Sequence, residues 1–167
     1  MTSQSLDSLS AMIVAFAIVF VVTFAAAGIG AAASVDAGRF YLALNRPAWA
    51  PSPAVFGPVW TILYTLIALA AFLVVREVGW RLALVPLAVY LLQLALNAVW
   101  TWLFFKWHLG GAAFLDIVVL LVLVAVTARL FWGVRPLAGV LLLPYLGWVG
   151  FATVLTWSVW RSNPGVL

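Results

Sequence analysis

Aromatic and amide side chains recur at helical spacing in three separate apolar stretches of the sequence. The three sets are Phe56, Trp60 and Tyr64; Gln93, Asn97 and Trp100; and Tyr145, Trp148 and Ala152, followed by Leu155. Residues three or four apart share one face of a helix, so each set forms a stripe. Large flat rings with a few hydrogen-bonding groups favour stacking on a flat, apolar ligand over covalent chemistry.

Each stripe taken alone also fits ordinary packing. Aromatic stripes often belong to a core, and buried amides in a membrane commonly form interhelical hydrogen bonds worth about 0.6 kcal/mol on average. Three stripes on three helices would converge if their faces turned inward. They would then enclose an apolar cavity with a few polar groups, the usual form of a small-molecule site. Ala152 beside Trp148 would leave room for a ligand or for a neighbouring helix.

Few residues could support acid–base, metal or thiol chemistry. Asp116 is the one acidic residue inside an apolar stretch, where a carboxylate costs roughly 2.5–3.5 kcal/mol at a helix centre. It is either hydrogen-bonded structurally or serves the cavity. His108, the only histidine, lies at a predicted helix boundary and is expected to be solvated at the interface. The absence of cysteine from the sequence excludes disulfides, thiolate metal sites and a cysteine nucleophile.

The elements that must position these residues are transmembrane helices. The sequence is 68% hydrophobic and 7% charged, against roughly 25% charged in a typical soluble domain. Five apolar stretches are close to or above the ~20 residues that a helix needs to cross a bilayer, and period-two alternation is absent, which disfavours a β-barrel. We predict a single all-α domain, residues 1–167, an integral membrane bundle of five transmembrane helices. Their approximate bounds are 9–33, 54–75, 82–105, 110–131 and 137–160.

The first helix and the segment after it have distinct features. The first stretch follows Asp7 and lacks a basic leading region, so it is expected to be a retained helix, not a signal peptide. Small residues at 25–33, including Gly28 and Gly30, permit close helix approach within the bundle or in a homodimer. Pro47, Pro51 and a third proline at 53 prevent a continuous helix in 34–53, which is predicted to be a surface loop or lid.

The basic residues and the remaining tryptophans lie where the membrane–water interfaces are expected. All eight basic residues lie near predicted helix ends or in loops, a pattern typical of a lipid bilayer partner and not of a nucleic-acid site. They divide equally between the two sides, and the first helix favours an external amino terminus with a cytosolic lid. Tryptophans near helix ends are expected to be interfacial anchors: Trp80, Trp107, Trp132, Trp157 and Trp160.

Several ordered motifs resemble those of one known family. They are Asn45-Arg46-Pro47-Ala48-Trp49-Ala50-Pro51, Phe56-Gly57-Pro58-Val59-Trp60, Gln93-Leu94-Ala95-Leu96-Asn97 with Trp100, and Pro144-Tyr145-Leu146 with Trp148. Together they resemble the tryptophan-rich sensory protein (TspO) and translocator protein family, formerly the peripheral benzodiazepine receptor. The resemblance extends over about residues 40–163.

The resemblance implies a five-helix bundle, often dimeric, that binds porphyrins in a cavity closed by the first loop. Animal members also bind cholesterol and benzodiazepine-type ligands. It implies a bacterial cell membrane or, in a eukaryote, the mitochondrial outer membrane. Positions matching Trp60 and Trp148 are associated in the family with porphyrin binding and light-dependent porphyrin breakdown. Positions in or near the family's pocket match Trp49, Asn97, Trp100, Asp116 and Ala152.

We therefore expect a membrane sensor or translocator-like protein that binds a tetrapyrrole, such as protoporphyrin IX or a haem-like molecule, and requires no cofactor. Arg39 or Arg46 in the lid would attract the propionates. A conventional enzyme is not expected, and the alternatives are light-dependent porphyrin degradation and a cholesterol- or lipid-binding transporter. Two departures from the family are Ser52 in place of a second proline and Trp157 in place of the tyrosine of a cholesterol motif.

Overall fold

Five long apolar helices dominate the computed structural model, which describes residues 3–167. The helices are α1 (Ser3–Ala32), α2 (Ala37–Ala43), α3 (Pro53–Leu82), α4 (Leu84–Thr101), α5 (Gly110–Val134), α6 (Pro136–Leu141) and α7 (Leu143–Ser162), with a π-helical turn at Trp102–Lys106. Five spans are long and apolar enough to cross a membrane, and no strand occurs among the described residues. The predicted all-α membrane bundle is confirmed, and the chain is an integral multi-pass membrane protein.

Several helix bounds differ from those predicted. Helix α3 continues past residue 75 through Arg76 and Glu77 to Leu82, interrupted at Gly79, whose φ of 73° is left-handed. Hydropathy marks where an apolar span ends, whereas a helix continues into the headgroup region for as long as its backbone can stay hydrogen-bonded. The predicted lid 34–53 contains the short helix α2, and the last span is divided into α6 and α7. Asp7, which was expected to precede the first span, lies outside the residues whose side chains the structure describes.

The spanning helices form a ring around a core of small and branched side chains. Helix α1 packs on α3 and α4, α5 packs on α4 and α7, and α6 fills the space between α3 and α5. Ala68, Ala70 and Ala71 of α3 are completely buried, so neighbouring helices approach that part of α3 closely. On the side opposite the lid, Arg135 donates to Glu77 at 2.8 Å. Both side chains are partly exposed, so this ion pair contributes little stability.

Helices α3 and α7 are joined by aromatic side chains more than by backbone proximity. The rings of Phe56 and Trp148 lie 5.9 Å apart at 78°, and those of Trp60 and Tyr145 lie 6.2 Å apart at 65°. Both are edge-to-face arrangements, which aromatic quadrupoles favour. Because large rings bridge the two helices, their backbones remain apart on the lid side, and a cavity remains inside the ring.

Candidate functional site

A cavity of about 640 Å³ occupies the lid half of the bundle. All five spans and the lid contribute to its lining, which is mainly apolar. Its volume lies within the roughly 300–1,000 Å³ that is typical of small-molecule sites. Six of the predicted site residues line it: Trp60, Tyr64, Asn97, Trp100, Trp148 and Ala152.

Three indoles enter the cavity from three different helices: Trp60 from α3, Trp100 from α4 and Trp148 from α7. Trp100 stacks on Phe104 with centroids 5.3 Å apart and an interplanar angle of 13°. Phe104 belongs to the π-helical turn, an irregularity that frequently accompanies functional sites. The turn thus provides the ring against which Trp100 is held.

A chain of hydrogen bonds lies along one wall of the cavity. The Tyr64 hydroxyl donates to Asn97 Oδ1 at 3.0 Å, and Asn97 Nδ2 donates to the Tyr145 hydroxyl at 2.8 Å. Tyr145 in turn donates to Gln93 Oε1 at 2.8 Å. Both hydroxyl hydrogens of this chain are donated within it, so Tyr64 keeps an acceptor oxygen and Asn97 keeps one N–H donor. We refer to these four residues as the amide network.

Three buried polar atoms within the spans have no hydrogen-bond partner. They are Gln93 Nε2, Trp100 Nε1 and Asp116 Oδ2. Unpaired buried groups of this kind cost roughly 1–3 kcal/mol each. Trp100 lines the cavity with its side chain, whereas its N–H is buried and has no partner among the described residues.

The lid is attached to both α3 and α7. Asn163 accepts from Asn45 N at 2.8 Å and donates to Asn45 O at 2.9 Å, and its Nδ2 also reaches Val159 O at 2.7 Å. The Tyr41 hydroxyl donates to Pro51 O at 3.2 Å, and its ring packs edge-on against Phe56 at 5.5 Å. These contacts hold the lid against the mouth of the cavity.

Arg46 covers the Tyr41 ring, with Cζ 4.7 Å from its centroid, and its Nε is buried without a partner. Burial raises the pKa of the Tyr41 phenol, and the Arg46 guanidinium offsets part of that rise. Tyr41 therefore stays a neutral donor at physiological pH. Neither Arg39 nor Arg46 lines the cavity, although Arg46 contacts Tyr41, which does.

Three predicted site residues lie outside the cavity lining. Tyr145 is fully buried behind it and accepts a hydrogen bond from Asn97. Trp49 is half exposed in the lid and contacts Phe151, with rings 5.8 Å apart. Asp116 is partly buried on α5, one residue before Ile117, which does line the cavity.

Helix α1 and the lid contribute lining residues that sequence patterns did not indicate. They include Phe24, Ala27, Gly28, Ala31, Gly38 and Tyr41. Phe24, Gly28 and Ala31 are spaced at i, i+4 and i+7, which is the available signal for one helix face. The small residues of this segment fit helix packing equally well from sequence alone. In the structure Gly30 packs on α4, whereas Gly28 faces open space.

Comparison with known proteins identifies relatives across most of the chain. A profile described as the TspO/MBR family matches residues 14–161. The human translocator protein is 41% identical over 129 residues, 76% of each chain. Protein CrtK of Rhodobacter capsulatus is 38% identical over 154 residues, 90% of this chain and 93% of its own. The tryptophan-rich protein TspO of Chlorobaculum tepidum is 37% identical over 130 residues, 77% of this chain and 82% of its own.

Proposed function

The chain belongs to the TspO/MBR family, and this membership supports a membrane sensor or translocator role; we propose that its ligand is a porphyrin bound in the five-helix cavity. The observation that carries the proposal is the convergence of Trp60, Trp100 and Trp148 on one apolar space. A flat tetrapyrrole offers two aromatic faces and an edge. Indoles from three directions can contact these surfaces at once.

Polar groups around the cavity would orient such a ligand. Tyr64 offers an acceptor and Asn97 a donor, which would bond polar substituents at the edge of the ligand. The propionates would lie towards the lid, where Arg46 has an unpaired Nε and Arg39 is exposed. Arginine binds carboxylates well because its planar fork can donate two parallel hydrogen bonds.

The function proposed is binding, with no cofactor required. Aromatic rings, hydroxyls and one carboxamide supply the polar and π-bonding groups of the described lining. These groups hold and orient a ligand without forming covalent bonds to it. A second candidate, light-dependent porphyrin breakdown, is favoured by the same indoles. An indole would donate an electron to the excited porphyrin, and dissolved dioxygen would be the oxidant that breaks the ring. Illumination of the complex should then bleach the porphyrin absorption bands more slowly in Trp60→Phe and Trp148→Phe than in the parent.

The binding test is a titration of the protein in lipid nanodiscs with protoporphyrin IX, followed by the shift of the porphyrin absorption band. Using porphyrin absorption avoids the loss of tryptophan signal in the variants themselves. Each aromatic contact contributes about 0.5–1.5 kcal/mol beyond area burial. The double variant Trp60→Phe/Trp148→Phe keeps a ring at both sites and should still raise Kd by several-fold.

Trp132→Phe is the matched control, since Trp132 is half exposed and lies outside the cavity lining. Its Kd should equal that of the parent. An unchanged Kd in the double variant, or an equal change in the control, would contradict the porphyrin assignment.

A further inference from the structure

Helix α1 contacts different partners along its length. In its first half it packs on α3, where Phe16 and Phe72 meet edge-to-face with centroids 5.3 Å apart. Ala15 and Val19 are buried in the same part of the core. The last ring contact with α3 on this path is Phe24 with Tyr64, at 6.3 Å.

Near its carboxyl end, α1 packs closely against α4. A Cβ added at Gly30 would lie 3.3 Å from Thr101 Oγ1, so the missing side chain is what allows the close approach. Directly beside this contact, Trp102 Nε1 donates to Ile29 O at 3.0 Å. Thr23 also bonds Tyr90 of α4, so α1 contacts both helices near its middle. Beyond Phe24, the hydrogen bond described between α1 and another span is with that of α4.

Towards the lid, exposed residues of both α1 and α3 line the cavity, and we refer to this border between the two helices as the slit. Gly28 and Ala31 on one side, and Gly57 and Thr61 on the other, all line the cavity and all are exposed. A Cβ added at Gly28 or at Gly57 would meet nothing within 4 Å. From Phe24, at the inner end, to the end of α1 is eight residues, so the slit runs about 12 Å into the span.

The lid side is closed more firmly than the slit. The hydrogen bonds of Asn163 to Asn45 fix the lid to α7, and the bond of Tyr41 to Pro51 fixes α2 to the segment before α3. A ligand from the aqueous side would have to break these bonds. A ligand dissolved among lipid chains would meet glycine, alanine and threonine at the slit. No hydrogen bond described among these slit residues joins α1 to α3.

We propose that the slit between α1 and α3 is a lateral portal through which a flat ligand passes between the bilayer and the cavity. The proposal rests on the cavity being a ligand site, as proposed above. It adds the class of ligand served, which is a molecule that partitions into the membrane, and the path that it takes. The glycines keep the portal wide enough for a planar ring system to pass edge-first.

The first test needs no porphyrin and uses the absence of cysteine from the sequence. Ala152→Cys places a single thiol in the cavity wall on α7. Its labelling rate is measured with an apolar maleimide dissolved in the liposome membrane. Adding Gly28→Phe and Gly57→Phe to this reporter should slow labelling by about tenfold or more, a barrier increase of roughly 1.4 kcal/mol.

Gly147→Phe is the matched control, because Gly147 is exposed, has open space around it and lies outside the cavity lining. It should leave the labelling rate unchanged, and circular dichroism should show equal helicity in all variants. An unchanged labelling rate in the slit variants would overturn the portal. The portal would also be overturned if a charged, membrane-impermeant maleimide labelled the parent as fast as the apolar reagent does.

Porphyrin kinetics then separate the portal from the proposed function. Transfer of protoporphyrin IX from liposomes should be slowed in both directions by Gly28→Phe/Gly57→Phe, with Kd changed far less than either rate. A raised Kd with an unchanged association rate would mean that the new rings fill the cavity, and would overturn the portal. If the parent binds no porphyrin while its reporter thiol still responds to the slit variants, the porphyrin assignment fails and the portal stands.

Discussion

Tyr145→Phe tests whether the amide network stabilises the bundle. The substitution removes one hydroxyl from a fully buried ring and nothing else. Two hydrogen bonds disappear, the one from Asn97 Nδ2 and the one to Gln93 Oε1. Interhelical hydrogen bonds in bilayers average about 0.6 kcal/mol each, so the loss should be about 1.2 kcal/mol. Gln93, whose Nε2 is already unpaired, would then have no partner at either amide atom, which adds to the cost.

Tyr90→Phe is the matched control. Tyr90 lies on α4, and its hydroxyl is buried like that of Tyr145. It makes one hydrogen bond, which it donates to the Thr23 hydroxyl, because Thr23 donates its own hydrogen to Val19 O. Its loss should therefore cost about 0.6 kcal/mol. Unfolding of both variants in mixed micelles, followed by helical circular dichroism, gives the two free energies. A Tyr145→Phe cost no larger than that of Tyr90→Phe would refute the additive role of the network.

The remaining predictions concern the lid and the packing of α6. Asn163→Asp cannot donate to Asn45 O, so backbone amide exchange at residues 44–50 should accelerate while exchange in the spans stays unchanged. Equal exchange would show that the lid is held by other contacts. A Cβ at Gly139 would lie 2.7 Å from Trp132 Cβ, so Gly139→Ala should destabilise by about 1–3 kcal/mol. Gly147→Ala, in open space, should be neutral or stabilising by up to ~1 kcal/mol, and similar effects at the two glycines would contradict the packing argument.

The number and class of the helices could be predicted because hydropathy and length report directly on burial in lipid. Periodicity also predicted that Trp60, Asn97 and Trp148 would line one cavity, and all three do. The prediction was possible because residues three or four apart share one helix face. The bounds of α3 and the short helices α2 and α6 could not be obtained this way. They depend on backbone geometry at single positions, such as the left-handed Gly79, that hydropathy does not record.

The depth of Tyr145 within the bundle also could not be predicted from the periodicity of the sequence. Tyr145 shares a stripe with Trp148, yet it lies one layer behind the cavity lining, where it accepts from Asn97 and its ring contacts Trp60. A stripe on a helix is wide enough to hold residues of both layers. Which layer each one occupies is decided by the neighbouring helix, here by the Asn97 amide on α4. Trp49 and Asp116, carried over from a family pattern, likewise lie beside the lining and not in it.

The contribution of α1 could not be predicted because small residues have two opposite uses in a membrane. Glycine lets helices approach closely, as Gly30 does against α4, and it leaves space open, as Gly28 does at the slit. Lipid chains are as apolar as leucine, so no hydrophobic force closes such a gap. The amide network fixes α3, α4 and α7 to one another through buried side chains. In the lid half of α1 the hydrogen bond described to another span runs to α4, from Trp102 Nε1 to Ile29 O. The contact described there with α3 is between the rings of Phe24 and Tyr64, so opening the border of α1 with α3 requires no such bond to break.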